Sequence, residues 1–244
     1  MGRSSNNYFS ATRHPLPCFL FLLPLLAGYE MGVIWLGGTR PDELRNGADA
    51  WVRWLMEKLS LQDINWAPPA LIAALFLVWS LFRFADVPKA ILGTLTGMAL
   101  ESVAFALGLW FLGRALLPLL ESANLLQIKT GQLDESMRQI VTFVGAGIYE
   151  EILFRLVLLT AIRFLFTILG APEIACSIIA ILGSAILFSL AHHIGPYGEE
   201  FERRVFIFRL MAGVYFAGLY QCRGFGISAG AHACYDVMVG VTVG

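Results

Sequence analysis

The chain reads as an all-α membrane protein, a polytopic bundle of about seven transmembrane helices, and three observations carry that reading. Of 244 residues, 57% are hydrophobic and only 14% charged, where a soluble domain carries about 25% charge. The apolar residues gather in blocks of roughly 17–25, the length that crosses a hydrocarbon core as a helix. The ionisable residues inside those blocks are few and grouped. Two glutamates, Glu150 and Glu151, stand side by side in the run from Thr142 to Leu159, and His192-His193 and His232…Asp236 follow in later apolar runs. Each such group costs at least roughly 2.5–3.5 kcal/mol near the bilayer centre, so their grouping calls for partners or a purpose.

The spans fall at roughly 16–36, 67–84, 89–112, 139–162, 174–193, 205–221 and 225–243. The first follows Arg3, Arg13 and His14. It is too long for a signal-peptide core and lacks a small-residue cleavage site, so it is a first membrane helix. Between the first two spans, residues 48–59 place Trp51, Val52, Leu55, Met56 and Leu59 on one helical face. That pattern predicts a helix lying on the membrane, with Trp51 and Trp54 at the headgroup boundary. The stretch 116–139 holds a second such helix, or an eighth span if it re-enters the bilayer. Gly93-x-x-x-Gly97, Gly226-x-x-x-Gly230 and the pair Gly145 and Gly147 mark close helix contacts. Lysines and arginines fall on both sides, so the charge rule leaves the orientation open.

The whole chain, 1–244, is read as one membrane-embedded domain, with the polar motifs in a core at 139–243. Net charge is −1, so nothing points to nucleic acid. Cys18, Cys176, Cys222 and Cys234 are scattered without a Cys-x-x-Cys pair and read as small buried hydrophobes. The partners expected are the lipid bilayer and a membrane-associated substrate. The compact chain has the character of a multi-pass protein of a prokaryotic plasma membrane.

Alternating span directions allow depths to be compared. Glu150 and His232 lie roughly 16 Å in from the side of the 113–138 loop, at 1.5 Å per residue. Asp236 lies roughly 10 Å in, and His192 within roughly 5 Å of that side. All four can therefore meet in one cavity. Asp236 follows His232 by four residues and shares its helix face, and Glu151 precedes Arg155 in the favourable i, i+4 order. The second pair is read as a buried ion pair that leaves Glu150 free.

These residues form three motifs: Glu-Glu-x-x-x-Arg at 150–155, Phe-x-x-x-His at 188–192 and His-x-x-x-Asp at 232–236. In that order on successive membrane helices, they resemble the CAAX-protease and bacteriocin-processing family, also called Abi or Rce1-like, of glutamate-type intramembrane endopeptidases. The resemblance spans residues 141–241. It implies that Glu150 and His192 activate a water that attacks a peptide carbonyl. It also implies that His232 and residue 236 stabilise the oxyanion, with Glu151, Arg155 and Phe188 in support. No metal or other cofactor is implied. One departure stands out: the family often has asparagine where this chain has Asp236, and ionised aspartate cannot donate to an oxyanion. It can orient His232, be protonated, or ligate a metal.

Competing readings use the same residues. Glutamate, two histidines and aspartate are an acceptable zinc set, although no His-Glu-x-x-His helix is present. A proton-coupled transporter would use buried Glu and His as a relay, but the two halves of the chain show no internal repeat. A non-catalytic scaffold or immunity protein is the remaining reading. Outside the cluster, His193 caps a helix end or faces water, and His14 sits at headgroup level. Glu199 to Arg204 form a solvated run beside the cavity mouth. Glu30 and Glu101 await a partner, such as Arg209, or line the cavity.

Overall fold

The computed structural model describes residues 7–58, 66–83, 87–120, 133–194 and 198–242. Among these residues there are helices and no strands. A short α1 (Tyr8–Ala11) precedes α2 (Pro15–Gly37), and a 3-10 turn (Pro41–Leu44) leads into α3 (Gly47–Lys58), α4 (Ala67–Phe82) and α5 (Ile91–Leu120). Then come α6 (Leu133–Glu151), a π-helical stretch (Ile152–Leu159), α7 (Thr160–Ile168), α8 (Glu173–Ala191), α9 (Arg203–Arg223) and α10 (Phe225–Thr242). Helix occupies all seven intervals expected to span. The fourth is longer than expected, because α6, the π stretch and α7 follow without a break. α3 lies where the interfacial helix was expected. Of the second interfacial stretch, the ends belong to α5 and α6, and 121–132 lie outside the described residues.

Four helices, Pro15–Gly37, Ile91–Ala115, Glu173–Ala191 and Arg203–Arg223, are long and apolar enough to cross a membrane, and Ala67–Phe82 is apolar but shorter. Large apolar side chains point outward along the bundle, among them Phe82, Leu92, Phe111, Phe164 and Ile174. Such a surface is at home in lipid rather than in water.

α10 is the centre of the bundle and packs against α2, α5, α6 and α9. Its first half, Phe225 to Ala233, is built mostly of glycine, alanine and serine and is buried throughout. In an apolar solvent helices associate by close packing, which small residues allow. A Cβ on Gly147 of α6 would lie 2.5 Å from the backbone nitrogen of Ala233. On Gly226 it would meet Met98, and on Gly230 it would meet Ser102 and Phe21. Gly93 is the exception among the expected contact glycines: nothing lies within 4 Å of it, and Gly97 accommodates the Tyr8 ring rather than another membrane helix.

Two polar clusters tie the helix ends together. At the α9–α10 corner, Gly224 takes φ 98°, a conformation that favours glycine. Here Glu101 finds its partner in Arg223, at 2.8 and 2.7 Å, rather than in Arg209. Arg209 instead donates to Glu199 at 2.8 Å, which holds that carboxyl below the usual carboxylate range. His14 is buried: its Nδ1 accepts from the Leu16 amide at the start of α2, and its Nε2 reaches the Arg83 carbonyl at 3.0 Å.

The second cluster lies between α2, α3 and α6 and accounts for Glu30. Glu30 accepts from Tyr149 at 2.9 Å and pairs with Arg45 at 3.3 Å and Arg53 at 3.4 Å. Asp49 binds the same two arginines at 2.7 and 2.9 Å and accepts from Tyr29 at 2.8 Å. This clamp presses one face of α3 to the bundle and leaves Trp54 and Leu55 exposed on another, as a surface helix with an anchored side requires.

The α6–α10 contact sets a test. Gly147→Ala should lower stability by about 1–3 kcal/mol, the cost of overpacking a close contact. Gly93→Ala should be tolerated. Thermal unfolding in detergent compares the two.

Candidate active site

Glu150 and Glu151 close α6, and the π-helical stretch begins with the next residue. π turns are uncommon and cluster at functional sites, because their wider winding changes the phase of the side chains that follow. Arg155 and Phe154 project from this stretch and are buried. His192 follows the last residue of α8, while His232 and Asp236 sit one turn apart on α10. These elements bring Glu150, His192, His232 and Asp236 into one cluster. His192 Nε2 lies 3.9 Å from Glu150 Oε1, and His232 Nε2 lies 3.7 Å from Glu150 Oε2 and 3.4 Å from Asp236 Oδ2. Glu150, His192 and Asp236 are partly open, with 13, 23 and 25% of their side-chain surface exposed, whereas His232 is buried.

The two glutamates have different surroundings. Glu151 is fully buried and receives three groups. His232 Nδ1 lies 2.9 Å from Oε1, Arg155 Nε 3.3 Å from the same oxygen, and Ser228 Oγ donates to Oε2 at 2.7 Å. The expected Glu151–Arg155 pair is thus present, but it is one part of a larger anchor. Arg155 Nη2 also reaches the Gly213 carbonyl of α9 at 3.4 Å. Glu150 has neither arginine nor serine against it and faces the two histidines.

The anchors fix the histidine tautomers. His192 Nδ1 lies 2.9 Å from the Phe188 carbonyl, which can only accept, so Nδ1 carries a proton. In the neutral ring Nε2 then presents a lone pair toward Glu150. His232 Nδ1 carries a proton toward the Glu151 carboxylate. Its Nε2 stands between two further carboxylates, where only a protonated nitrogen makes a bond.

Aromatic rings surround the polar atoms. The His232 ring stacks on Phe216 at 4.4 Å. Phe188 meets His192, His232 and Phe154 edge-on, at 4.9, 6.0 and 5.3 Å, and the Arg155 guanidinium lies 4.4 Å over its ring. Phe188 is therefore the common wall of the histidine pair. His193 points elsewhere, with Nδ1 3.1 Å from the Glu199 carbonyl and its ring against Phe201 and Phe206.

Residues 134–238 match the family described as type II CAAX prenyl endopeptidase Rce1-like. They form an Rce1-like domain. The matched segment starts in α6, ends in α10 and contains every residue of the cluster. No curated protein and no solved structure matches the chain. The matched segment covers less than half of the chain, and α1 to α5 lie before it.

Sequence reasoning missed Ser228 and Phe216. Ser228 was within reach, since it precedes His232 by four residues and continues the stripe 228, 232, 236 on one face of α10. Phe216 carries no such signal, because nothing in a run of apolar residues says which ring will meet a histidine from another helix.

Arg155→Ala should destabilise the Rce1-like domain by about 3–5 kcal/mol, because it strands Glu151 without its cation. The check is melting temperature and yield of folded protein. Unchanged stability with lost activity would make Arg155 a group that acts on substrate.

Proposed function

We propose that the protein is an intramembrane endopeptidase that hydrolyses a peptide bond in a membrane-associated peptide or protein tail. The observation that carries this reading is the spacing of Glu150 and His192. At 3.9 Å they are too far apart for a good direct hydrogen bond, yet a water with bonds of about 2.8 Å to each fits between them. Both atoms facing that water are acceptors, the carboxylate of Glu150 and the lone pair of His192 Nε2. The water donates both protons, and its own lone pairs are left to attack a carbonyl. Glu150 takes a proton in the attack and returns it to the leaving amine, as a general base and then acid.

His232 is the oxyanion group of this mechanism. Its Nε2–H faces the cavity, and its orientation is held from behind by Glu151 and by stacking on Phe216. Donors fixed before the reaction and shielded from water stabilise developing charge most. Asp236 supports this role by its position 3.4 Å from His232 Nε2. It balances and orients the imidazolium and makes no direct bond to the oxyanion.

No metal takes part in this scheme. The seven long helical segments, α2, α4, α5, α6 through α7, α8, α9 and α10, act as seven membrane crossings of one embedded domain. The support for that count is the outward apolar surface and the packing of the amino-terminal helices on α6 and α10.

Glu150→Gln should abolish peptide cleavage by purified protein while melting temperature is kept, because the base is lost at nearly constant volume. Cleavage should survive a chelator. Turnover by the Glu150→Gln protein would remove the water-activating role, and a zinc-reversible loss on chelation would make the site a metal centre.

Asp236→Asn should keep much of the activity, since the amide oxygen still accepts from His232. Asp236→Ala should lose about a hundredfold, the scale of a damaged oxyanion site. Equal loss in both variants, read as kcat, would show that the negative charge itself is required.

A further inference from the structure

Among its described residues, the segment before the Rce1-like domain gives no side chain to the cluster of Glu150, His192, His232 and Asp236, yet it holds two buried carboxylates and two largely covered arginines close by. Glu30 and Asp49 are 3 and 0% exposed and share Arg45 and Arg53 between them. Replacing such a network with well-packed apolar side chains is often neutral or stabilising, so stability alone does not explain it. Its reach does. The network ends on the hydroxyl of Tyr149, which is fully buried and immediately precedes Glu150.

α6 carries a docked stripe at intervals of three or four residues. Arg138 Nη1 donates to the Leu36 carbonyl at 2.8 Å, Val141 packs over Gly32, and Thr142 Oγ1 donates to the Leu44 carbonyl at 3.1 Å. The Tyr29 ring lies on Gly145, and Tyr149 donates to Glu30 at 2.9 Å. The opposite side of the helix brings Gly147 to α10 and the two glutamates to the histidines. Tyr149 is the last hydrogen-bonding member of this stripe, and Ile152 and Leu153 continue it as apolar contacts. The wider π winding begins three residues after Tyr149, at Ile152, so Glu150 lies between two restraints on helix rotation, the Tyr149–Glu30 bond on one side and the Glu151 anchor on the other.

We propose that the Glu30–Tyr149 bond, held in place by Arg45, Asp49 and Arg53, is a positioning device that sets the rotation of α6 and aims Glu150 at His192 and His232. Glu30 and Tyr149 are positioning residues, and the interfacial helix α3 is part of the catalytic apparatus through them. This rests on Glu150 acting as the base. The lever is steep: with side chains reaching roughly 5–6 Å from the helix axis, a rotation of about 10° moves the carboxylate by about 1 Å. Misplacement on that scale can cost about a hundredfold in rate.

The test uses the full chain in detergent or vesicles. Tyr149→Phe removes one hydroxyl and no packing. It should lower kcat about tenfold or more, leave KM within about twofold, and leave the melting temperature nearly unchanged. Glu30→Leu should lower kcat likewise and also lower the melting temperature, because Arg45 and Arg53 lose one of their two shared carboxylates, whereas Glu30→Gln keeps an oxygen that accepts from Tyr149 and should restore most of kcat. Hydrogen exchange supplies a reading that needs no activity: Tyr149→Phe should speed exchange in 145–155 and leave α8 and α9 unchanged. A Tyr149→Phe protein with wild-type kcat overturns the proposal, as does equal damage from Glu30→Gln and Glu30→Leu. If the wild type cleaves nothing, the proteolytic reading fails, and unchanged exchange at 145–155 then overturns the positioning role independently.

Discussion

Glu151 is a carboxylate buried inside a helical bundle, and the rest of the site depends on how it is satisfied. Three side chains from two elements meet it: Arg155 from the π stretch, as an ion pair, and His232 and Ser228 from α10, by hydrogen bonds. Any one of them alone would leave the group poorly paired in a setting where an unpaired charge is expensive. Together they lock the phase of α6 against α10. Arg155 extends the lock to α9 through Gly213 and to α8 through Phe188. A single buried charge thus selects one arrangement of four helices.

Neighbouring identical residues acquire opposite roles from this lock. Consecutive residues of a helix point about 100° apart, so only one of two adjacent glutamates can turn into the anchor. The other is turned toward the two imidazoles and keeps part of its surface open. Phe154, Phe188 and Phe216 line the space behind the imidazoles, which limits water there and strengthens each polar contact that remains.

The close approach of α6 and α10 has its own requirement. Hydrogen bonds of 2.7–2.9 Å from α10 to Glu151 need the two backbones nearer than ordinary side chains permit. The run of glycine, alanine and serine on α10, with Gly147 opposite, meets that need. The small residues are therefore part of the same device as the polar ones, since neither would be useful without the other. The clamp of Glu30, Asp49, Arg45 and Arg53 holds the face of α6 turned away from α10.

By itself the sequence determined the helical membrane class, the seven helical intervals, a separate amphipathic helix at 47–58 and the residues of the polar cluster. Apolar block length, amphipathic spacing and the cost of charge in lipid are local properties that a single chain displays directly. It also displayed the Glu151–Arg155 pair, because i, i+4 neighbours share a face. What crosses between helices was decided only by the tertiary structure: Glu151 to His232, Glu30 to Tyr149 and Arg45, Glu101 to Arg223 in place of Arg209, and Phe216 beneath His232. Any buried carboxylate can pair with any cation that packing brings near, and the order of residues does not specify which. The π winding after Glu151 was equally hidden, since no proline or glycine marks it and its cause lies in the helices packed around it.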